Sequence, residues 1–377
     1  MMACPKPFLL LLLLLLLQLQ LVAVNSLLLS ASTFANHTTA LPECLPDQAL
    51  ALLRLKRSFS ASNHSYIAFR SWKAGTDCCR WEGIGCHAST SHVTSLDLGD
   101  CGLESRSLDP AVFELTTLRN LNLGGNDFHM SEMPFVGFER LTMLTHLNLS
   151  TSNFSGQVPH SIGDLTNLVS LDLSFRFEFF ELLGYGYWFH VDSSNPGQLL
   201  LSNLTTLVAN LGNLRELHLS FVDLSSEGEE WCTALARYTP NLRVLSMPYC
   251  KLSSAICGSL SCLHFIRVID LGHNHLAGPF PLFFANFSSL IVLQLSYNDI
   301  GGWVPPEIFQ HKKLVTIDLH YNFRISGNLP KFPAHSNLEN LLVGNTNFSG
   351  DIPSSISNLK SLKRLGLGSH GFAGKLP

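Results

Sequence analysis

One spacing constrains this chain more than any other feature. In its C-terminal half, Leu or Ile recurs at Leu245, Ile269, Leu293, Ile317, Leu341 and Leu365 inside the frame Leu-x-x-Leu-x-Leu, at intervals of 24 residues. A unit this short cannot bury its own apolar face, so it is stable only with a like unit stacked beside it. Continuing toward the N-terminus, the same position is filled by Leu217, Leu171, Leu147, Leu121 and Leu96, which makes eleven turns over 93–377. Each Leu-x-Leu segment alternates apolar and polar residues, the period of a short strand, and stacking lines these strands into a parallel sheet on the concave side of an α/β solenoid.

The rest of the repeat frame supports that reading. Three residues after the second strand Leu the frame favours Asn, whose amide bonds to the backbone of the adjacent turn. Asn126, Asn274, Asn298 and Asn322 fill the slot, and Cys101, Ser152, Cys250 and Thr346 are small substitutes. The second half of the regular turns reads NFSGQVP from Asn153, HLAGPFP from His275, NFSGDIP from Asn347 and GFAGKLP from Gly371. Gly permits the turn out of the first strand, and Pro ends the next extended piece where no donor is needed.

Ahead of the solenoid lie an address and a cap. A lone Lys6, an apolar run from Phe8 to Val24 and a small-residue stretch through Ser26, Ser30, Ala31 and Ala35 follow the order of a secretory signal peptide over 1–30, with cleavage expected between 24 and 35. Residues 44–92 break the repeat. DQALALLRLKRSF, with Leu50, Leu53 and Phe59 behind Asp47, fits a short amphipathic helix, and SWKAGTDCCRWEGIGC adds Trp72, Trp81 and three Cys. In an oxidising compartment these Cys staple a cover over the first turn, Cys44 with Cys78 and Cys79 with Cys86, because vicinal Cys rarely bridge each other. Further on, Cys232 and Cys257 occupy equivalent positions of adjacent turns, about one strand spacing apart at roughly 5 Å, and are expected to pair. Entry to the secretory pathway also gives meaning to the sequons at Asn36, Asn63, Asn148, Asn153, Asn203, Asn286 and Asn347.

The array is interrupted once. Leu171 and Leu217 are 46 residues apart, and FRFEFFELLGYGYWF from Phe175 holds eight aromatic residues. An irregular insertion near 174–213 accounts for this, either as a loop projecting from the stack or as a degenerate repeat whose rings fill the core.

The frame LxxLxxLxLSxNxFSGxIPxxI and the cap run DCCRWEGIGC resemble the plant-specific class of extracellular leucine-rich repeats. More narrowly, VANLGNLRELHLSFVDLSSEGEEWC, LRVLSMPYCKLSSAIC and SSISNLKSLKRLGLGS are similar to receptor-like proteins of the fungal-wilt-resistance type. The resemblance covers essentially all of 44–377. It implies a right-handed superhelix of leucine-rich repeats with a concave parallel sheet and a disulfide-stapled N-terminal cap. It also implies a plasma-membrane receptor with an extracellular repeat domain, one membrane helix and a co-receptor kinase as partner. The chain stops at Pro377 in mid-repeat, where such receptors continue, so a secreted module or a truncated, non-functional receptor stands beside the membrane-bound one. A secreted inhibitor of a cell-wall-degrading enzyme is the runner-up function.

Chemistry is expected at the surface rather than in a catalytic centre. The sequence contains no Gly-rich phosphate loop, HExxH helix or GxSxG elbow, so neither catalysis, a metal nor a cofactor is assigned. Charged residues make up 14% at a formal net charge of −4, which offers a nucleic acid no basic stripe. A peptide, protein or glycan ligand is expected on the concave face, in defence or developmental signalling. Two residues after the second strand Leu, six successive turns carry a ring: Phe175, Phe221, Tyr249, His273, Tyr297 and Tyr321. One strand apart, these would form an amphipathic strip that anchors a ligand. His218, His273 and His320 on the same face would be protonated near pH 5 to 6 and favour acidic ligands.

Overall fold

A 24-residue spacing becomes a sheet because every turn returns the chain to the same place one strand further on. The computed structural model describes residues 44–175, 198–368 and 371–373. The segment 1–30, with its expected cleavage site, and Asn36 lie outside them. Twelve strands form one sheet. Ile84–Cys86 of the cap pairs antiparallel with Val93–Asp97 at one edge, and from there to Arg364–Gly366 every neighbour is parallel. The register joins like to like: Leu245 faces Ile269, Ile269 faces Leu293 and Ile317 faces Leu341. These side chains are 0 to 2% exposed and run into one continuous core from the cap to Leu359.

The turns close on the convex side through short 3₁₀ segments such as His160–Asp164, Leu282–Asn286 and Ser354–Asn358, each entered from a Pro whose ring fixes φ and whose missing N–H is not needed there. Two turns use α-helices instead, Leu204–Val208 and Glu230–Tyr238. A feature not expected from the repeat frame is a second parallel sheet of five strands: Ser253–Ala255, His275–Pro279, Asp299–Trp303, Asn322–Gly327 and Thr346–Phe348. The Phe-Ser-Gly-x-Ile-Pro half of the repeat forms it. Gly278 sits inside it at φ +86°, where a Cβ would lie 2.9 Å from that of Ala255.

The cap is held by packing and by two disulfides, Cys44–Cys78 and Cys79–Cys86, with Cα atoms 5.4 and 5.5 Å apart. Trp72 and Trp81 stack within it at 5.3 Å, and both indole N–H groups are satisfied, by the Glu82 carbonyl and the Thr76 hydroxyl. The helix Pro46–Ser58 turns Gln48, Ala51, Leu52 and Leu55 inward, whereas Leu50 is 54% exposed and Leu53 is half-buried. The expected apolar face was therefore one residue out of phase: the i, i+3, i+7 positions that also admit Phe59 start at Gln48. Gln48 joins cap to solenoid, since its carbonyl accepts from the Val93 N–H at 2.8 Å and its amide donates to Thr117 at 2.9 Å.

At the interruption, Leu171 pairs directly with Leu217 in the concave sheet. Within the expected insertion over 174–213, Leu199–Leu200 pairs with Gly156–Gln157, and the helix Leu204–Val208 packs in the place of a 3₁₀ segment. Residues 176–197, which carry the remaining aromatic residues of the run, lie outside the described residues.

Candidate functional site

The site begins with a backbone requirement. After each concave strand the chain must turn toward the second sheet while pointing the Asn of the frame back into the core. Asn274 shows the result. Its amide donates to the Met247 and Leu271 carbonyls at 2.9 and 3.0 Å, and its carbonyl accepts from the N–H groups of Cys250 and Leu252 at 3.0 Å each. Asn126, Asn298 and Asn322 repeat the pattern. The small substitutes keep part of it, as when Ser152 donates to Leu123 and Cys250 to Leu219, both at 2.9 Å.

The residue before that slot makes the turn, and it does so in the left-handed region. Phe221, Tyr249, His273, Tyr297 and Tyr321 have φ between +53° and +66°, as do Asp100 and Thr151 near +52° to +53° and Asn345 at +50°. A bulky residue there costs roughly 1–2 kcal/mol. The rings offset part of this by stacking, since an aromatic pair contributes about 0.5–1.5 kcal/mol beyond its buried area. Each N–H of the column bonds to a carbonyl of the next turn, Tyr297 to His320 at 3.0 Å for instance, and this holds the rings in register.

From Phe221 to Tyr321 the result is an unbroken stack. Successive centroids lie 4.4, 4.1, 4.1 and 4.2 Å apart with interplanar angles of 7 to 16°. Phe175 meets Phe221 edge-on at 6.1 Å, and Phe323 meets Tyr321 edge-on at the other end. The structure brings all six predicted ring residues together, but not as a row of open ring faces. The faces cover one another, so the column meets solvent mainly with its edges. Tyr297 is the most open of the stacked rings, at 39%.

On the turns N-terminal to the stack, the polar positions of the concave strands line an open groove through Asn122, His146, Asn148, Asp172, Glu216 and His218. Nearer the C-terminus these positions change to Val244, Val268 and Val292 on one side and to Asp270, Gln294 and Asp318 on the other. Burial pushes the Asp270 carboxyl up to about 6 with help from the Asp318 charge, against a 3.2 Å bond from the Gly272 N–H. His320 is bonded to Asp318 through Nδ1. Burial, and then the charge of His320, lower His273 from 6.5 to about 4. The expectation that His273 charges near pH 5 to 6 is therefore overturned: a ring sandwiched between Tyr249 and Tyr297 loses the water that would solvate its cation.

The other predicted site residues are spread along the cap and the solenoid. Cys232 and Cys257 form a disulfide between adjacent turns, with Cα atoms 6.1 Å apart, while Cys101, Cys250 and Cys262 are free thiols. Asn63, Asn203, Asn286 and Asn347 are exposed. Asn153 is half-buried and bonded to Asp127, and Asn148 lines the concave groove. One functional-looking group had no sequence signal: buried Glu227 accepts the Leu204 N–H at 2.6 Å and so holds the helix that closes the long turn, and burial raises its pKa. The left-handed column did leave a signal, because Asp100, Gly125 and Asn345 are the residue types that tolerate such a backbone.

Comparison with known proteins places this architecture. Residues 45–87 match the leucine rich repeat N-terminal domain family, and 143–165 and 337–359 match the leucine rich repeat family. Receptor-like protein 6 of Arabidopsis thaliana is 34% identical over 362 residues, which cover 90% of this chain and 30% of that protein. Receptor-like protein EIX1 of Solanum lycopersicum is 29% identical over 75% of this chain and 27% of its own length. The chain thus spans about 30% of the curated relatives it matches. Among solved structures, the Arabidopsis receptor kinase HAESA, in complex with the peptide hormone IDA and the co-receptor SERK1, superposes with a TM-score of 0.65 at 24% identity, over 86% of this chain and 53% of that one. A plant ice-binding protein superposes with a TM-score of 0.56 at 22% identity, over 89% of this chain and 90% of that one, which shows the fold alone. With its stapled cap, its 24-residue turns and these relatives, the chain belongs to the plant extracellular leucine-rich-repeat receptor-like proteins.

Proposed function

We propose that the chain is the N-terminal part of an extracellular recognition module and that its concave groove binds an extended peptide without catalysis. The observation that carries this reading is the convergence of hydrogen-bonding side chains from five successive strands, Asn122 to Ser246, on one open groove, whose C-terminal end reaches the turns that carry the first rings of the stack. An extended peptide offers backbone donors and acceptors to such a row, and the edges of the Phe221 and Tyr249 rings stiffen the C-terminal end of the groove at low entropic cost. HAESA, whose repeat architecture this chain shares, is a receptor kinase seen in complex with a peptide hormone and a co-receptor. A peptide ligand, a co-receptor kinase partner and a place on the outer face of the plasma membrane or in the extracellular space follow from that analogy. Among the described residues no helix is long and apolar enough to cross a membrane.

The test is selection of a displayed random-peptide library on the glycosylated, secreted chain. Binders whose affinity falls at least tenfold with Glu216→Ala or His218→Ala, and stays unchanged with Lys312→Ala outside the groove, support the reading. Binders indifferent to both groove substitutions, or a selection that yields none, overturn it.

A further inference from the structure

A second surface lies on the rim where each turn enters its concave strand. Arg215, Arg243 and Arg267 occupy the same position on three consecutive turns, and all three are exposed. The Arg243 N–H bonds to the Arg215 carbonyl at 2.7 Å and the Arg267 N–H to the Arg243 carbonyl at 2.8 Å, so their backbones stand one strand spacing apart, about 4.8 Å. Lys313 joins Arg243 and Arg267 in lining one shallow, open groove, and the floor includes Phe265 and Ile291. Phe265 is 57% exposed and shares this groove with the cations. Ion pairs elsewhere join Arg54 with Glu114, Lys251 with Asp223, Arg324 with Asp299 and Lys363 with Glu339. Among the described residues, none of the four rim cations is within ion-pair reach of a carboxylate.

We propose that this rim binds a linear polyuronate, a polysaccharide with one carboxylate on each sugar. Two features choose it over an acidic peptide. A guanidinium takes a carboxylate by two parallel hydrogen bonds, and a row of them on successive turns rewards a ligand that repeats its carboxylate. Phe265 in turn needs an apolar partner, which the C–H face of a sugar ring supplies. A uronate unit meets both demands in one residue, whereas an acidic peptide brings carboxylates on flexible stems and nothing to cover the ring. The open, shallow form of the groove suits a polymer lying across it rather than a small molecule enclosed by it. This surface is separate from the concave groove, and a ligand there leaves the peptide site accessible.

The experiment measures binding of a short galacturonate oligomer to the secreted chain by calorimetry, beside its methyl-esterified form and a poly-glutamate peptide. Expected are binding of the free acid, none of the ester, and at most weak binding of poly-glutamate. Arg243→Gln with Arg267→Gln should weaken binding of the acid at least tenfold, Phe265→Ser several-fold, and Arg324→Gln on the second sheet not at all. All are surface changes that leave the core intact. Affinity should also fall as ionic strength rises from about 0.01 to about 0.15 M, which shortens the screening length from about 30 to about 8 Å. Failure to bind the oligomer, or binding untouched by the double substitution, overturns the proposal. Equal binding of poly-glutamate with no effect of Phe265→Ser overturns the choice of a sugar.

Discussion

Asp270 and His273 lie on one turn, and their titrations act on stability with opposite signs. Asp270 holds its proton to about 6 in the folded chain, against a usual 3.8. Between these values the native state binds a proton that the unfolded chain releases, so this group's contribution to stability is lost as pH rises through the window. A displacement of about two units corresponds to about 3 kcal/mol at neutral pH. His273 is displaced the other way, from 6.5 to about 4, so the unfolded chain binds the extra proton and stability rises with pH across that window. Because its ring is only half-buried, solvent screening discounts the effect to about 1–2 kcal/mol. In the native sequence the two largely offset each other. Asp270→Asn keeps the acceptor for the Gly272 N–H, removes the buried charge and leaves the histidine alone. Its expected effect is a gain of about 2–3 kcal/mol at pH 7 and a stability that climbs with pH between about 4 and 6.5, where the parent is nearly flat or falls. Urea unfolding at several pH values measures this, with the slope m monitored because long repeat arrays can lose two-state behaviour. An Asp270→Asn chain less stable than its parent at pH 7, or with the parent's pH dependence, would refute the reasoning.

Three further outcomes follow from the same geometry. Asn274→Ala strands the Cys250 and Leu252 N–H groups and should cost about 2–4 kcal/mol in urea unfolding; a loss below about 1 kcal/mol would contradict the bonding described. Tyr297→Asn, which suits the left-handed backbone, should destabilise by about 1–2 kcal/mol through lost stacking, and Tyr297→Val by about 1–2 kcal/mol more because a β-branched residue is strained at φ +54°. Peptide mapping of the secreted chain should find glycan at Asn286 and Asn347, which are exposed, and none at Asn148, where a glycan would fill the concave groove.

How far the sequence could be read depended on whether a position's side chain betrays its backbone. The concave sheet was legible because Leu-x-Leu must alternate in and out, and its register was legible because only a 24-residue return superposes Leu245, Ile269 and Leu293. The Asn slots and the Cys232–Cys257 pairing were legible for the same reason: each needs a partner that the repeat puts one turn away. The second sheet was not. Its strands pair chiefly through backbone groups, and glycines at positive φ, such as Gly278 and Gly302, read as turn residues though they lie within strands. The ring column was found but its orientation was not, because Tyr and Phe ordinarily signal an extended backbone. At these positions they take a left-handed one, which Gly125 and Asn345 disclosed elsewhere in the column. That backbone decides the chemistry of the face. On an extended strand each ring would have stood perpendicular to the sheet, among the groove residues. Set at the turn instead, with its N–H tied to the next turn, each ring between Tyr249 and Tyr297 is clamped by the one above and the one below, and His273 is uncharged in the pH range where it was expected to attract an acidic ligand. The stack therefore acts as a stiff wall. Charge recognition on this solenoid falls to groups outside it, the arginines of the rim.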